Sequence, residues 1–172
     1  MKNRGADALM RVLREHGVSH VFTVSGNHVM PAFDAALDAG IALVHARHEA
    51  ATVHMADAWA RVSGNVGIAL VTGGPGHANA VSALYTAHMA EAPVVLLSGH
   101  APRAQLGMGA FQEMAQADVA APLAKAAWTC EGAGDVAHDV ARAIDVALAG
   151  RPGPVSLNLP GDALEALPCP PI

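Results

Sequence analysis

The sequence predicts a doubly wound α/β domain: a mostly parallel six-stranded sheet with helices on both faces. Three observations carry this prediction. Short β-like runs alternate with longer helical patterns along the chain, and right-handed crossovers fold such an alternation into an open parallel sheet. Several of the β-like runs are continuously apolar, as strands covered on both faces require. Glycines stand where helical patterns stop, at Gly17, Gly40, Gly64 and Gly150, which fits C-terminal caps.

The first helical pattern covers residues 4–16, with Leu9, Val12, Leu13 and His16 on one face. HVFTV (20–24) then reads as a strand, residues 29–39 as a helix and IALVH (41–45) as the second strand. A helix follows over 48–63, its apolar stripe formed by Ala51, Met55, Ala58 and Val62. VGIALV (66–71), a helix over 77–91 and PVVLLS (93–98) continue the alternation. Residues 99–115 are too long for a routine connection, and long loops in such folds often carry function. AKAAWTC (124–130), a helix over 135–149 and PVSLNL (154–159) complete the sheet. The domain is expected over 1–165, with the proline-rich 166–172 as a linker.

Composition narrows the function classes. A chain of 172 residues, 52% apolar and 15% charged, is expected to form one globular domain with a substantial core. A formal charge of -5 without a basic block gives no footprint for nucleic acid or an anionic membrane surface. There is no apolar run of about 18 residues and no secretory h-region in MKNRGADALMRVL, so a cytoplasmic location is expected. Cys130 and Cys169 form no CxxC pair and are read as reduced thiols.

Four stretches invite a chemical reading. VTGGPGHAN follows the third strand and opens a helix, where an α/β sheet presents backbone N–H groups to a ligand. It is not a dinucleotide fingerprint, because Gly74, Gly76 and Asn79 give GxGxxN; a purely structural turn is the competing reading. HEAATVH places His48 and His54 six residues apart, which rules out the HExxH zinc helix. HARH offers His45 and His48 without a third ligand at suggestive spacing. No GxSxG elbow occurs. Glu113, Asp118 and Glu131 read as solvated acids, and His77, His88 and His100 as surface or satisfied histidines. Glu49, in RHEAATVHMADAWAR, has an ordinary explanation as a helix cap.

Taken together and in order, these stretches resemble the N-terminal pyrimidine-binding domain of thiamine-diphosphate-dependent enzymes of the acetolactate synthase and benzaldehyde lyase type. The resemblance rests on HGVSHVFTVSGNHVMPAFDAAL, on the glutamate helix RHEAATVHMADAWARVSG, on the GPGxxN loop of VTGGPGHANAVSALYTAHMAEAPVVLLSG, and on GAFQEM with PLAKAAW as a substrate-side loop. It implies a sharper role for Glu49. In that family the matching glutamate hydrogen-bonds ring nitrogen N1′ of the aminopyrimidine and promotes the tautomer that activates the thiazolium carbon. Gly74, Pro75, Gly76 and Asn79 match the loop whose backbone lies against that ring. Phe111 and Gln112 match residues facing the thiazolium and the substrate.

Departures from the family pattern stand at Ser25, Asn27 and His28, where acetolactate synthases carry a proline and paired glycines. His28 falls where benzaldehyde lyase places an active-site histidine, which makes it a candidate proton shuttle; a solvent-facing loop histidine is the competing reading. The resemblance further implies a reaction that makes or breaks a C–C bond next to a carbonyl, on a 2-oxo acid. Mg²⁺ and the diphosphate would be held by a second domain, carried by the same longer chain or by a partner subunit. Pyrimidine domains of the family pair, so a homodimer is expected, and the isolated chain is expected to be inert. A natural small subunit of a split decarboxylase and a non-catalytic cofactor-binding module stand as alternatives.

Overall fold

A computed structural model describes residues 3–166 of the chain. The elements are α1 (Gly5–Glu15), β1 (His20–Thr23), α2 (Met30–Ala39), β2 (Ala42–His45), α3 (Glu49–Ser63), β3 (Gly67–Val71), α4 (Pro75–Met89), β4 (Val94–His100), α5 (Gln116–Ala120), β5 (Ala126–Thr129), α6 (Val136–Leu148), β6 (Val155–Pro160) and α7 (Gly161–Glu165). The strands form one sheet in the order β2-β1-β3-β4-β6-β5. Every neighbouring pair is parallel, so the expected mostly parallel sheet is wholly so.

Side-chain alternation divides the core into two layers. Ile68, Leu70, Val95, Leu97, Leu157 and Leu159 face α1, α2, α6 and α7. Ala69, Val71, Val94 and Leu96 face α3 and α4. Both faces are therefore covered, which is why the central strands β3 and β4 are buried along their whole length. Alanine sets how closely the helices approach: Ala32, Ala35, Ala36 and Ala39 line the buried side of α2, and Ala80, Ala83 and Ala87 that of α4. Gly67 completes one such approach, since a Cβ there would stand 2.0 Å from the Ala56 carbonyl oxygen of α3.

The six strands and five long helices fall within a few residues of the expected spans. The four cap glycines all adopt positive φ. α4 starts at Pro75 rather than at 77, because proline at the first position presets the helical φ and has no N–H to lose. The five-residue helices α5 and α7 were not foreseen; one turn is too short to show a period.

The stripe foreseen on α3 is corrected. The residues of α3 that turn inward are Thr52, Val53, Ala56, Asp57 and Ala60. Val62 is 89% exposed. Together with Met55, Ala58, Trp59 and Phe22 it lines a shallow apolar depression of about 340 Å³. The spacing identified a stripe correctly, but the close approach to Gly67 selects the small-residue side of the helix for the core.

PLAKAAW holds most of the strand expected over residues 124–130. It forms a 3₁₀ turn and β5, the edge strand beyond β6. Lys125 donates from Nζ to the carbonyls of Val146 and Ala149, at 2.6 and 2.7 Å, and so caps α6. Its role is structural, away from the loop that holds Gln112.

Of the two thiols, Cys130 is buried, and burial pushes its pKa up to about 12, which makes it a poor nucleophile. Cys169 and most of the expected linker 166–172 lie outside the described residues. Ala166 is described: its carbonyl accepts the Gly5 N–H at 3.1 Å. Among the described residues no helix is long and apolar enough to cross a membrane.

Candidate functional site

The strand order reverses between β1 and β3: β1 leads outward to β2, while β3 leads the other way to β4 and β6. In an open parallel sheet such a reversal separates the loops at the carboxyl ends of the two strands and leaves a crevice. Four segments meet around it: residues 24–28 after β1, the start of α3 after β2, residues 72–76 after β3, and residues 101–115 after β4.

Glu49 is the first residue of α3 but not its cap. His48 takes that place, with its Nδ1 accepting the Ala50 N–H at 3.2 Å. Freed from capping, the half-buried Glu49 carboxylate turns to α4, where its Oε2 accepts from Asn79 Nδ2 at 3.0 Å. Its Oε1 has no hydrogen-bond partner among the described residues. A Cβ on Gly76 would stand 3.5 Å from that oxygen and 2.7 Å from Thr72 Cγ2, so the bare glycine keeps the carboxylate accessible. Val53 beneath is fully buried, and Ala50, Ala51 and Met55 are half-buried.

The glycine turn is tightly held. Gly74 has φ 58° and ψ -115°, a conformation that strains any residue with a Cβ. A Cβ there would also stand 2.6 Å from the Gln112 carbonyl oxygen and 2.7 Å from Gln112 Cβ. Gln112 thus rests on the turn, and it has positive φ itself, 59°. A non-glycine residue in this region stores backbone strain, which the surrounding loop must hold. The loop does so through Glu113, whose carboxylate accepts the N–H groups of Gly107 and Ala110 at 2.5 and 3.0 Å. These bonds hold the Glu113 pKa below the usual carboxylate range. The expectation of a merely solvated acid is corrected for this residue.

His28 is 6% exposed, so the solvent-facing alternative falls away. Its Nδ1 lies 3.1 Å from Thr72 Oγ1, and its ring stacks on Phe111 at 6.0 Å between centroids. Burial lowers its pKa; the Phe111 backbone opposes this and the nearby His100 adds to it. The ring is therefore neutral at pH 7. A cavity of about 270 Å³ opens beside it, lined by Asn27, Phe111, Gln105, Asp162 and Glu165 among others. Phe111 itself is 68% exposed. Ser25 is exposed and makes no hydrogen bond to any of these groups.

The other histidines have local partners. His77 is fully buried: its Nε2 lies 3.0 Å from the Gln116 carbonyl oxygen and its Nδ1 2.8 Å from Ser98 Oγ. A carbonyl only accepts, so Nε2 carries the proton and the serine hydroxyl donates to Nδ1. Burial lowers the His77 pKa to about 4. His100 lies against the carbonyls of Ala101 and Met114, and His88 is exposed. His45 packs on Phe33 while His48 caps α3, so the two perform local tasks. Among the described residues no three His, Cys, Asp or Glu side chains are grouped so as to hold a metal ion.

Two residues of this neighbourhood escaped sequence reasoning. Thr72 touches both Gly26 and Gly76 as well as His28; its position directly before the glycine turn was the available signal. Gln116 supports the turn from below, and nothing in its local sequence marked it.

The family model described as "Thiamine pyrophosphate enzyme, N-terminal TPP binding domain" matches residues 3–120. Among curated relatives, 2-hydroxyacyl-CoA lyase 2 of Danio rerio is 42% identical over 160 residues, 93% of this chain and 26% of the relative. The acetolactate synthase large subunit of Parasynechococcus marenigrum (strain WH8102) is 39% identical over 162 residues, 92% of this chain and 26% of the relative. The acetolactate synthase isozyme 3 large subunit of Escherichia coli (strain K12) is 40% identical over 162 residues, 94% of this chain and 28% of the relative. The chain spans about a quarter of the length of these relatives. With the matched segment carrying Glu49, the glycine turn and Gln112, the chain belongs to the family of N-terminal TPP-binding domains of thiamine pyrophosphate enzymes.

Proposed function

We propose that this domain is the pyrimidine-binding half of a cytoplasmic thiamine-diphosphate-dependent enzyme that makes or breaks a C–C bond next to a carbonyl. The observation that carries the reading is the Glu49 carboxylate, held through one oxygen by Asn79 and left with the other facing the space over Gly76. That arrangement fits the edge of an aminopyrimidine. When bound, the cofactor supplies a nucleophilic carbon and an electron sink for the carbonyl substrate.

In this reading Glu49 exchanges a proton with the ring nitrogen N1′, and Asn79 fixes the carboxylate's direction. The backbone of Gly74, Pro75 and Gly76 would hold the ring from one side, where added side chains would prevent close approach. Neutral His28, steadied by Thr72, moves a proton on the substrate side, with Phe111 and Gln112 bounding the reacting space and Ser25 and Asn27 at its rim. The relatives' names bring two substrate classes into range: 2-oxo acids, as in acetolactate synthesis, and 2-hydroxyacyl thioesters.

Mg²⁺ and the diphosphate belong to a second domain, on the same longer chain or on a partner subunit, so the isolated domain is inert. Pairing through pyrimidine domains has a physical basis in the exposed apolar side chains of α3 and α4: Val62 (89% exposed), Met89 (64%) and Tyr85 (56%). Glu49→Gln in the assembled enzyme is expected to leave folding intact and lower turnover by about a hundredfold or more, the scale of losing acid–base help. Wild-type turnover in that variant would refute the assignment.

A further inference from the structure

Beneath the glycine turn lies a buried polar assembly that none of the roles above uses. At its centre is Gln116, 1% exposed, at the start of the short helix α5. Its Oε1 accepts the Gly74 N–H at 2.9 Å. Its Nε2 donates to the Gly99 carbonyl at 3.0 Å and to Asn158 Oδ1 at 2.9 Å. The amide cannot be turned over, because the reverse orientation would set a donor against an N–H and an acceptor against a carbonyl. Asn158, fully buried on β6, is fixed in turn: its Nδ2 donates to the Trp128 carbonyl and to Thr129 Oγ1, both at 3.2 Å. The Gln116 backbone carbonyl also accepts a hydrogen bond from Nε2 of His77, the third residue of α4.

We infer that Gln116 is a positioning residue that sets the height of the Gly73–Gly74–Pro75 turn over the sheet, and through it the spacing between Glu49 and Gln112. The geometry works from both sides. From below, a Cβ on Gly73 would stand 2.6 Å from the Gly99 carbonyl oxygen and 2.9 Å from Gln116 Oε1, so the turn already sits as low as backbone allows. From above, Gln112 presses on Gly74. The single bond from Gly74 N–H to Gln116 ties this stack to β4 and β6. It also anchors the start of α4, the helix whose Asn79 reaches Glu49.

The inference rests on the cofactor-facing reading of the turn, and it is tested in two ways. In this 172-residue chain without cofactor, the Gly74 amide is expected to exchange with D₂O at least a hundredfold more slowly than an unstructured amide; exchange at the unstructured rate would overturn the inference. In the assembled enzyme, Gln116→Met keeps the length and removes the amide. With saturating thiamine diphosphate, and at a temperature where circular dichroism shows a folded protein, C2–H exchange of the cofactor is expected to slow by about tenfold to a hundredfold, as misplacement of a catalytic group by an ångström would do. A lower melting temperature with exchange within twofold of wild type would mean a structural role only and overturn the inference alone. No exchange in the wild-type enzyme would overturn the functional reading, and the inference with it. If Gln116→Met does not fold, Asn158→Ser, which frees one bond of the amide, carries the same readout with a smaller expected loss.

Discussion

At the scale of single residues, the most informative contrast is between His28 and His77. Both are buried with depressed pKa values, yet His28 borders a cavity while His77 is enclosed by Ser98 and Gln116. His77 makes stability depend on pH in a defined direction. Its folded-state pKa of about 4 lies below the ordinary 6.5, so between these values the unfolded chain binds a proton that the folded chain refuses. Stability is full above pH 6.5 and falls as pH drops through the window, by on the order of 3 kcal/mol in all. Urea unfolding at pH 7.5, 6 and 5 is expected to show this loss, and His77→Gln to flatten it. Asp7 acts in a lower range: Arg4 holds its carboxyl below the usual 3.8, so that contribution is lost only on further acidification. Of these residues, sequence alone singled out Glu49 and Gln112 as candidates, by their place in a resemblance. It could not expose Gln116, whose importance comes from partners on three distant segments.

At the scale of elements, legibility followed the length of the signal. Long helices and apolar strands announced themselves, whereas α5 and α7 are too short to have a period. The orientation of α3 was beyond reach, because one apolar stripe serves the exterior while alanines serve the core. The end of α6 offers a clean energetic test. Lys125→Met keeps the aliphatic stem beside Gly153 and removes both bonds to the terminal carbonyls. A loss of about 1–2 kcal/mol in urea unfolding is expected, the range for charged hydrogen bonds at a helix end. Cofactor-dependent turnover of the assembled enzyme should be unchanged, since β5 stands at the far edge of the sheet. A loss of turnover without loss of stability would return PLAKAAW to the substrate side.

At the scale of the whole molecule, the fold class was legible because it depends only on alternation and covered strands. The partners were not, because an exposed apolar face does not name what covers it. Sedimentation of the chain at rising concentration is expected to show a dimer, and Val62→Glu with Tyr85→Glu to weaken it about tenfold or more; a strict monomer would count against pairing through α3 and α4. The bond between the Gly5 N–H and the Ala166 carbonyl has a separate consequence. It brings the first and last described elements side by side, α7 against the start of α1, so the fold enters and leaves at one point. Such a unit is portable. Joined by a short linker there and reopened at the exposed Ala149–Arg151 turn, a circular permutant should regain the same circular dichroism spectrum and melt within a few degrees of the parent.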